Sequence, residues 1–67
     1  MNKFPERLKE LRNDLNLSQR QLSKLVGFSQ AAIANWEAGN QIPNIETAIT
    51  FALFFKVTTD YLLGLED

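Results

Sequence analysis

SQRQLSKLVGFSQAAIANWE, residues Ser18–Glu37, divides at Gly27 into two short amphipathic runs, each opened by a serine. Ser18, with Gln21 three residues on, has the capping-box pattern in which side chains satisfy each other's backbone N–H groups. Leu22, Leu25 and Val26 are read as the inward face of the helix that follows. Gly27 ends it, because the change of direction needs positive φ, which costs glycine little. Phe28 is placed to plug the core from the turn. Ser29 caps the second run, from about Gln30 to Ala38, where Ile33 and Trp36 stand three apart as apolar anchors. Two helices crossing steeply need a small residue where they touch, here Ser23, together with a glycine turn and fixed inward positions. The joint match, followed by W-E-x-G (36–39) and Pro43, is a specific signal for two helices held at a set angle.

Working outward, Phe4, Leu8, Leu11 and Leu15 recur at i, i+4, i+7 and i+11, which predicts a first helix over Phe4–Leu15 with Pro5 in its first turn. Asn16 reads as a left-handed stop, and Leu17 returns to the core. Beyond Gly39, the loop Asn40-Gln41-Ile42-Pro43 leads to Asn44, a good cap for a fourth helix over Ile45–Phe55. With Ile45, Ala48, Ala52 and Phe55 inward, Ile49, Leu53 and Phe54 are left partly outside, as at an interface. The competing reading is a wider buried face, with Phe51 and Phe54 packed under the next helix. A short fifth helix starts at Thr58 or Thr59 and runs through Tyr61 and Leu62 to Gly64. No stretch alternates with period two, so no sheet is expected. The fold class is all-α, with five helices in a single domain over residues 1–67.

At 67 residues the chain buries only about 60% of its unfolded surface, so a stability of a few kcal/mol is expected. It has no cysteine and no histidine, which removes disulfides, thiol nucleophiles and the usual zinc ligands. With no glycine-rich phosphate loop or paired-carboxylate cleft either, the reading is not an enzyme, with no cofactor and no metal. The N-terminal MNKFPERLKELR lacks the signal-peptide pattern, and no apolar run approaches the roughly 20 residues of a membrane span. A cytoplasmic location without membrane attachment is expected. Residues 1–30 carry six cations against three carboxylates, net +3, whereas residues 31–67 carry one against five, net −4. That asymmetry permits a basic contact face and an acidic far side.

The chain resembles the Cro/phage-repressor (XRE-type) helix-turn-helix family from Leu8 to Gly64. The resemblance is carried by L-x-x-L-R (8–12), L-S-Q-x-x-L (17–22), L-V-G-F-S (25–29), I-A-N-W-E-x-G (33–39), P-N-I-E-T (43–47) and D-Y-L-L-G (60–64). It implies a five-helix lambda-repressor-like DNA-binding domain of a transcriptional regulator, read here as a repressor. Such a domain usually binds double-stranded DNA as a homodimer on a pseudo-palindromic operator. In the family's pattern Gln30, Ala31 and Asn35 match base-reading positions. Gln19 matches a residue that braces the first recognition glutamine and touches phosphate. Arg12 and Glu37 match a largely buried salt bridge, which also aims Arg12 at phosphate.

The residues agree with that implication. What the core leaves over on the third helix is Gln30, Ala31, Ala34 and Asn35. Glutamine and asparagine bond bidentately to adenine, and alanine methyls meet the thymine methyl. Ser18, Ser29, Arg20 and Asn40 are further candidates for the DNA backbone, the serines with the amides of the helix starts. Two departures matter: Asn40 and Gln41 stand where the family often has cations, and Ser23 stands where it usually has alanine. Few phosphate contacts and a shallow salt dependence are expected. Trp36 and Phe28 are read as core rather than as stacking platforms. Dimerisation is assigned to Ile49, Leu53, Phe54, Tyr61 and Leu62. The rival function is an antitoxin-like protein-interaction module with secondary DNA binding. Whether the chain is a whole regulator or the front of a longer one stays open.

Overall fold

Four of the five helices start on a side-chain oxygen that takes the backbone N–H three residues ahead. In the computed structural model, which describes residues 2–66, these helices are α2 (Gln19–Val26), α3 (Gln30–Glu37), α4 (Ile45–Phe55) and α5 (Thr59–Leu63). Their caps Ser18, Ser29, Asn44 and Thr58 accept at 3.0, 3.0, 2.8 and 2.9 Å. Gln21 answers Ser18 by accepting its backbone N–H at 2.8 Å, so the capping box is complete. The remaining helix, α1 (Phe4–Asp14), starts without a side-chain cap at Lys3 but has proline in its first turn. There Asn2 Oδ1 accepts the Phe4 N–H at 3.0 Å.

Each helix stops at a left-handed residue. Asn16 (φ 57°) follows α1, as its short amide side chain favours. Lys56 (φ 59°) ends α4, which no local feature of the sequence announced. Glycines serve the other three ends, but two of them are not equivalent. A methyl at Gly27 would meet nothing within 4 Å, whereas at Gly64 it would lie 2.8 Å from Lys3 Cβ and Cγ and 3.1 Å from Lys3 N. Gly27→Ala is therefore expected to cost only the left-handed penalty, about 1–2 kcal/mol. Gly64→Ala should cost more, because the backbone of Lys3 must also move. Thermal melts of the two variants check this, and equal losses would refute it.

The core is one cluster drawn from every helix: Phe4 and Leu8, Leu22, Ile33 and Trp36, Phe51 and Ala52, and Leu62. Phe51 is its hub, with ring centroids of Phe4, Phe28, Trp36 and Phe55 at 6.0, 5.3, 5.6 and 6.2 Å. Trp36 and Phe28 are thus core residues. Helix α1 packs on α3 and α5, α2 on α3 and α4, and α4 on α5. Arg7 ties the end of α5 to α1, its guanidinium 4.0 Å over the Tyr61 ring and donating to the Tyr61 carbonyl at 2.8 Å. Beside it the Lys3 N–H donates to the Leu63 carbonyl at 3.1 Å.

Several side chains depart from the sequence expectations. Leu15 lies past the end of α1 and is 53% exposed, and Leu25 is 59% exposed because Leu22 and Val26 fill the inward side of α2. Helix α4 is turned about its axis, burying Thr47, Ala48, Phe51 and Ala52 and leaving Ile45 78% exposed. The aromatic partners of Phe51 choose that rotation. Leu62, expected at a dimer surface, is fully buried. Phe54 is half-buried against Phe55, and Tyr61 is half-buried beneath Arg7. Of the five expected interface residues, Ile49 and Leu53 remain exposed.

Candidate nucleic-acid interface

Helix α3 has two unlike sides. Its inner side holds Ile33, Trp36 and Glu37, all buried. Its outer side carries Gln30, Ala31 and Asn35, all exposed, with Ala34 half-buried between them. Positions i, i+1, i+4 and i+5 share a face, so the four expected base-contact residues form one strip of two amides and two methyls. At the head of α2 and α3, Ser18 and Ser29 are exposed, as are Arg20 on α2 and Asn40 in the following loop. Within α3 itself there is no charge except Glu37, and that is turned inward.

Glu37 anchors the tail of α3 to the rest of the molecule. Its carboxylate receives Arg12 Nε at 2.6 Å and Arg12 Nη2 at 2.9 Å, a bidentate fork. The side chains are 2% and 13% exposed respectively. Arg12 Nη1 donates to the Leu17 carbonyl at 2.8 Å, so the same arginine also fastens the link into α2. The hydrogen bonds to Glu37 raise the Arg12 pKa above its ordinary value, against the opposing effect of burial. The expected bridge is present. The phosphate contact expected of Arg12 is not carried forward, because its guanidinium is committed inward on three bonds.

Gln19 joins this network by donating Nε2 to Glu37 Oε1 at 3.2 Å. A residue expected beside the recognition glutamine is thereby pinned at the start of α2. Ser23 was read as merely small; its hydroxyl donates to the Phe28 carbonyl at 2.5 Å, across the turn between α2 and α3. In the sequence its small size and its departure from alanine marked the position, and neither pointed to the hydroxyl's partner.

Away from α3, Ile45, Ile49 and Leu53 form a stripe at i, i+4 and i+8 along α4, exposed by 78, 44 and 75%. The same side opens into a shallow groove of about 290 Å³ between α4 and α5, lined mainly by Pro43, Ile45, Ile49 and Leu63. Among the described residues no group of acidic side chains is placed to hold a metal ion, and no helix is long and apolar enough to cross a membrane.

The Helix-turn-helix family model matches residues 8–62. The chain is 42% identical over 64 residues to the HTH-type transcriptional activator BcrR of Enterococcus faecalis, covering 96% of this chain and 31% of that protein. It is 36% identical over 58 residues to Repressor protein C2 of Salmonella phage P22, covering 87% and 27%. A crystal structure of a transcriptional regulator from Listeria innocua matches with a TM-score of 0.89 at 27% identity, over 100% of this chain and 63% of that one. The chain thus spans less than a third of the length of these two curated relatives.

Proposed function

Given that this chain belongs to the XRE-type helix-turn-helix family, we propose that it is a sequence-specific DNA-binding regulator of transcription that reads the major groove with α3. The observation that carries the reading is the outer strip of α3. Gln30 and Asn35 are free to bond adenine edges, while Ile33, Trp36 and Glu37 hold the helix from behind. Around it, the amides at the starts of α2 and α3, with Ser18, Ser29, Arg20 and Asn40, form the set for backbone contacts. Gln19, pinned by Glu37, keeps one amide hydrogen for a phosphate or for Gln30.

The exposed stripe Ile45, Ile49 and Leu53 supports a twofold dimer, whose recognition helices would stand about 34 Å apart, one turn of DNA. In this reading the protein acts in the cytoplasm. Occupying an operator suffices for repression, and the phage relative is named a repressor. BcrR is named an activator; activation by this chain would call for a further contact with the transcription machinery.

The test begins with selection of bound duplexes from a random pool, followed by mobility shifts on the selected site. The expected site has two A·T-containing half-sites related by a twofold axis. Gln30→Ala should bind it more weakly by about 1–3 kcal/mol with an unchanged thermal melt. Unaltered affinity in that variant would sink the base-contact assignment. Failure of the pool to enrich any sequence, beside firm capture of a protein partner, would favour the protein-interaction module instead.

A further inference from the structure

Helix α2 ends differently from the other four, and the difference falls at the hinge of the motif. After α1 two backbone bonds close the chain, Asn16 N–H to the Asn13 carbonyl at 2.9 Å and Leu17 N–H to the Arg12 carbonyl at 3.1 Å. The same pair recurs at 39/40, 56/57 and 64/65. Such a pair fixes both the last turn and the direction in which the chain leaves it. Helix α2 closes on a single backbone bond, Gly27 N–H to the Ser23 carbonyl at 3.0 Å. Its second constraint comes from a side chain, the Ser23 hydroxyl on the Phe28 carbonyl at 2.5 Å. Ser23 therefore holds both turn residues, Gly27 through its carbonyl and Phe28 through its hydroxyl. Phe28 is itself fixed, its ring 5.1 Å from Trp36 and 5.3 Å from Phe51, and the next residue caps α3.

We propose that Ser23 is a positioning residue for sequence reading: its hydroxyl sets the angle between α2 and α3, and hence the aim of Gln30 and Asn35, without touching DNA. The proposal rests on the DNA-reading function above. An eight-residue helix is about 12 Å long, so a tilt of roughly 5° at the hinge moves its far end by about 1 Å. Base-edge hydrogen bonds do not survive such a shift, whereas attraction to the phosphates barely changes. The hinge bond thus acts on specificity rather than on overall affinity.

The test uses Ser23→Ala, which removes one atom and favours helix. Its first readout needs no DNA: residual dipolar couplings of the backbone amides in the free protein. The α3 couplings should change relative to those of α1 and α2, and identical couplings in the variant overturn the proposal. The second readout is the ratio of affinities for the selected site and for random-sequence DNA. That ratio should fall about five- to tenfold, the size of one net hydrogen bond, through loss on the selected site alone. A ratio held at the wild-type value also overturns it. Ser23→Thr restores the hydroxyl and should return both readouts toward wild type; failure to do so in a folded Thr variant counts against the hydroxyl. Should the wild-type protein bind no DNA specifically, the DNA reading fails while the couplings still decide the hinge.

Discussion

Phe51→Ala should give a chain that is unfolded at 25 °C. Phe51 is fully buried and touches aromatic rings from α1, the hinge, α3 and its own helix. Truncating a buried phenylalanine costs about 3–5 kcal/mol, because the transfer free energy is lost and the cavity only partly collapses. Here the cavity walls are rings locked edge-on, with Trp36 and Phe28 at 81° and Phe4 and Trp36 at 80°, so little side-chain collapse is open to them. A domain of this size has only a few kcal/mol in hand. Circular dichroism should lose its helical signal, and the fluorescence of the lone tryptophan, Trp36, should move to the red. A cooperative melt within a few degrees of wild type would contradict the role given to Phe51.

Arg12→Ala should be nearly as severe, for an electrostatic reason. It leaves the Glu37 carboxylate buried, with Gln19 at 3.2 Å as its surviving donor. Removing one partner of a buried pair typically costs about 3–5 kcal/mol, most of it the burden of the abandoned charge. The double variant Arg12→Met with Glu37→Leu should therefore recover much of the loss, since neither charge then remains inside. A double variant no more stable than Arg12→Ala would show that geometry, not the stranded charge, was the larger effect. The sign of the Arg12 shift places no titration near neutrality. A cation with a raised folded pKa contributes fully below its unfolded pKa and loses that contribution only as pH rises through the folded one. For arginine that window lies beyond ordinary alkaline conditions, so its share of the bridge should stay constant through neutral pH.

The helix boundaries were legible because caps are local chemistry. Ser18, Ser29 and Asn44 each lie one residue before a helix and each carry the oxygen that its first turn needs. Thr58 and Thr59 looked alike in sequence; the chain uses the first. Helix rotation was less legible, and α4 shows why. Eight of its eleven residues, IETAITFALFF, are apolar, so the sequence admits several inward faces. The rings of Phe4, Phe28 and Trp36, distant in sequence, select the one that centres on Phe51. Lys56 was missed for a similar reason, since its left-handed turn serves the return of Val57 toward the core rather than any preference of lysine. The outer strip of α3 followed by subtraction once Ile33 and Trp36 were placed inside. For Arg12 the resemblance supplied the bridge to Glu37, whereas its use on phosphate was not decided by sequence, because whether spare N–H groups face outward depends on where Glu37 and the Leu17 carbonyl lie.

The contact between Lys3 and Leu63 has a kinetic meaning. Of the five closely packed helix pairs, four are adjacent in the chain or skip a single helix, a short range of contact that favours fast folding. The α1–α5 seam is the exception: it closes a loop of about 60 residues, although the entropy of closure grows only slowly with length. Its fastenings are few, namely the backbone bond at Lys3, the Arg7 guanidinium on the Tyr61 carbonyl and ring, and the close fit at Gly64. The seam is then the last gate to shut in folding and the first to swing open. Hydrogen exchange at the Lys3 amide would outpace that of Leu22 or Ile33, and the groove-reading half would stay formed while the ends breathe.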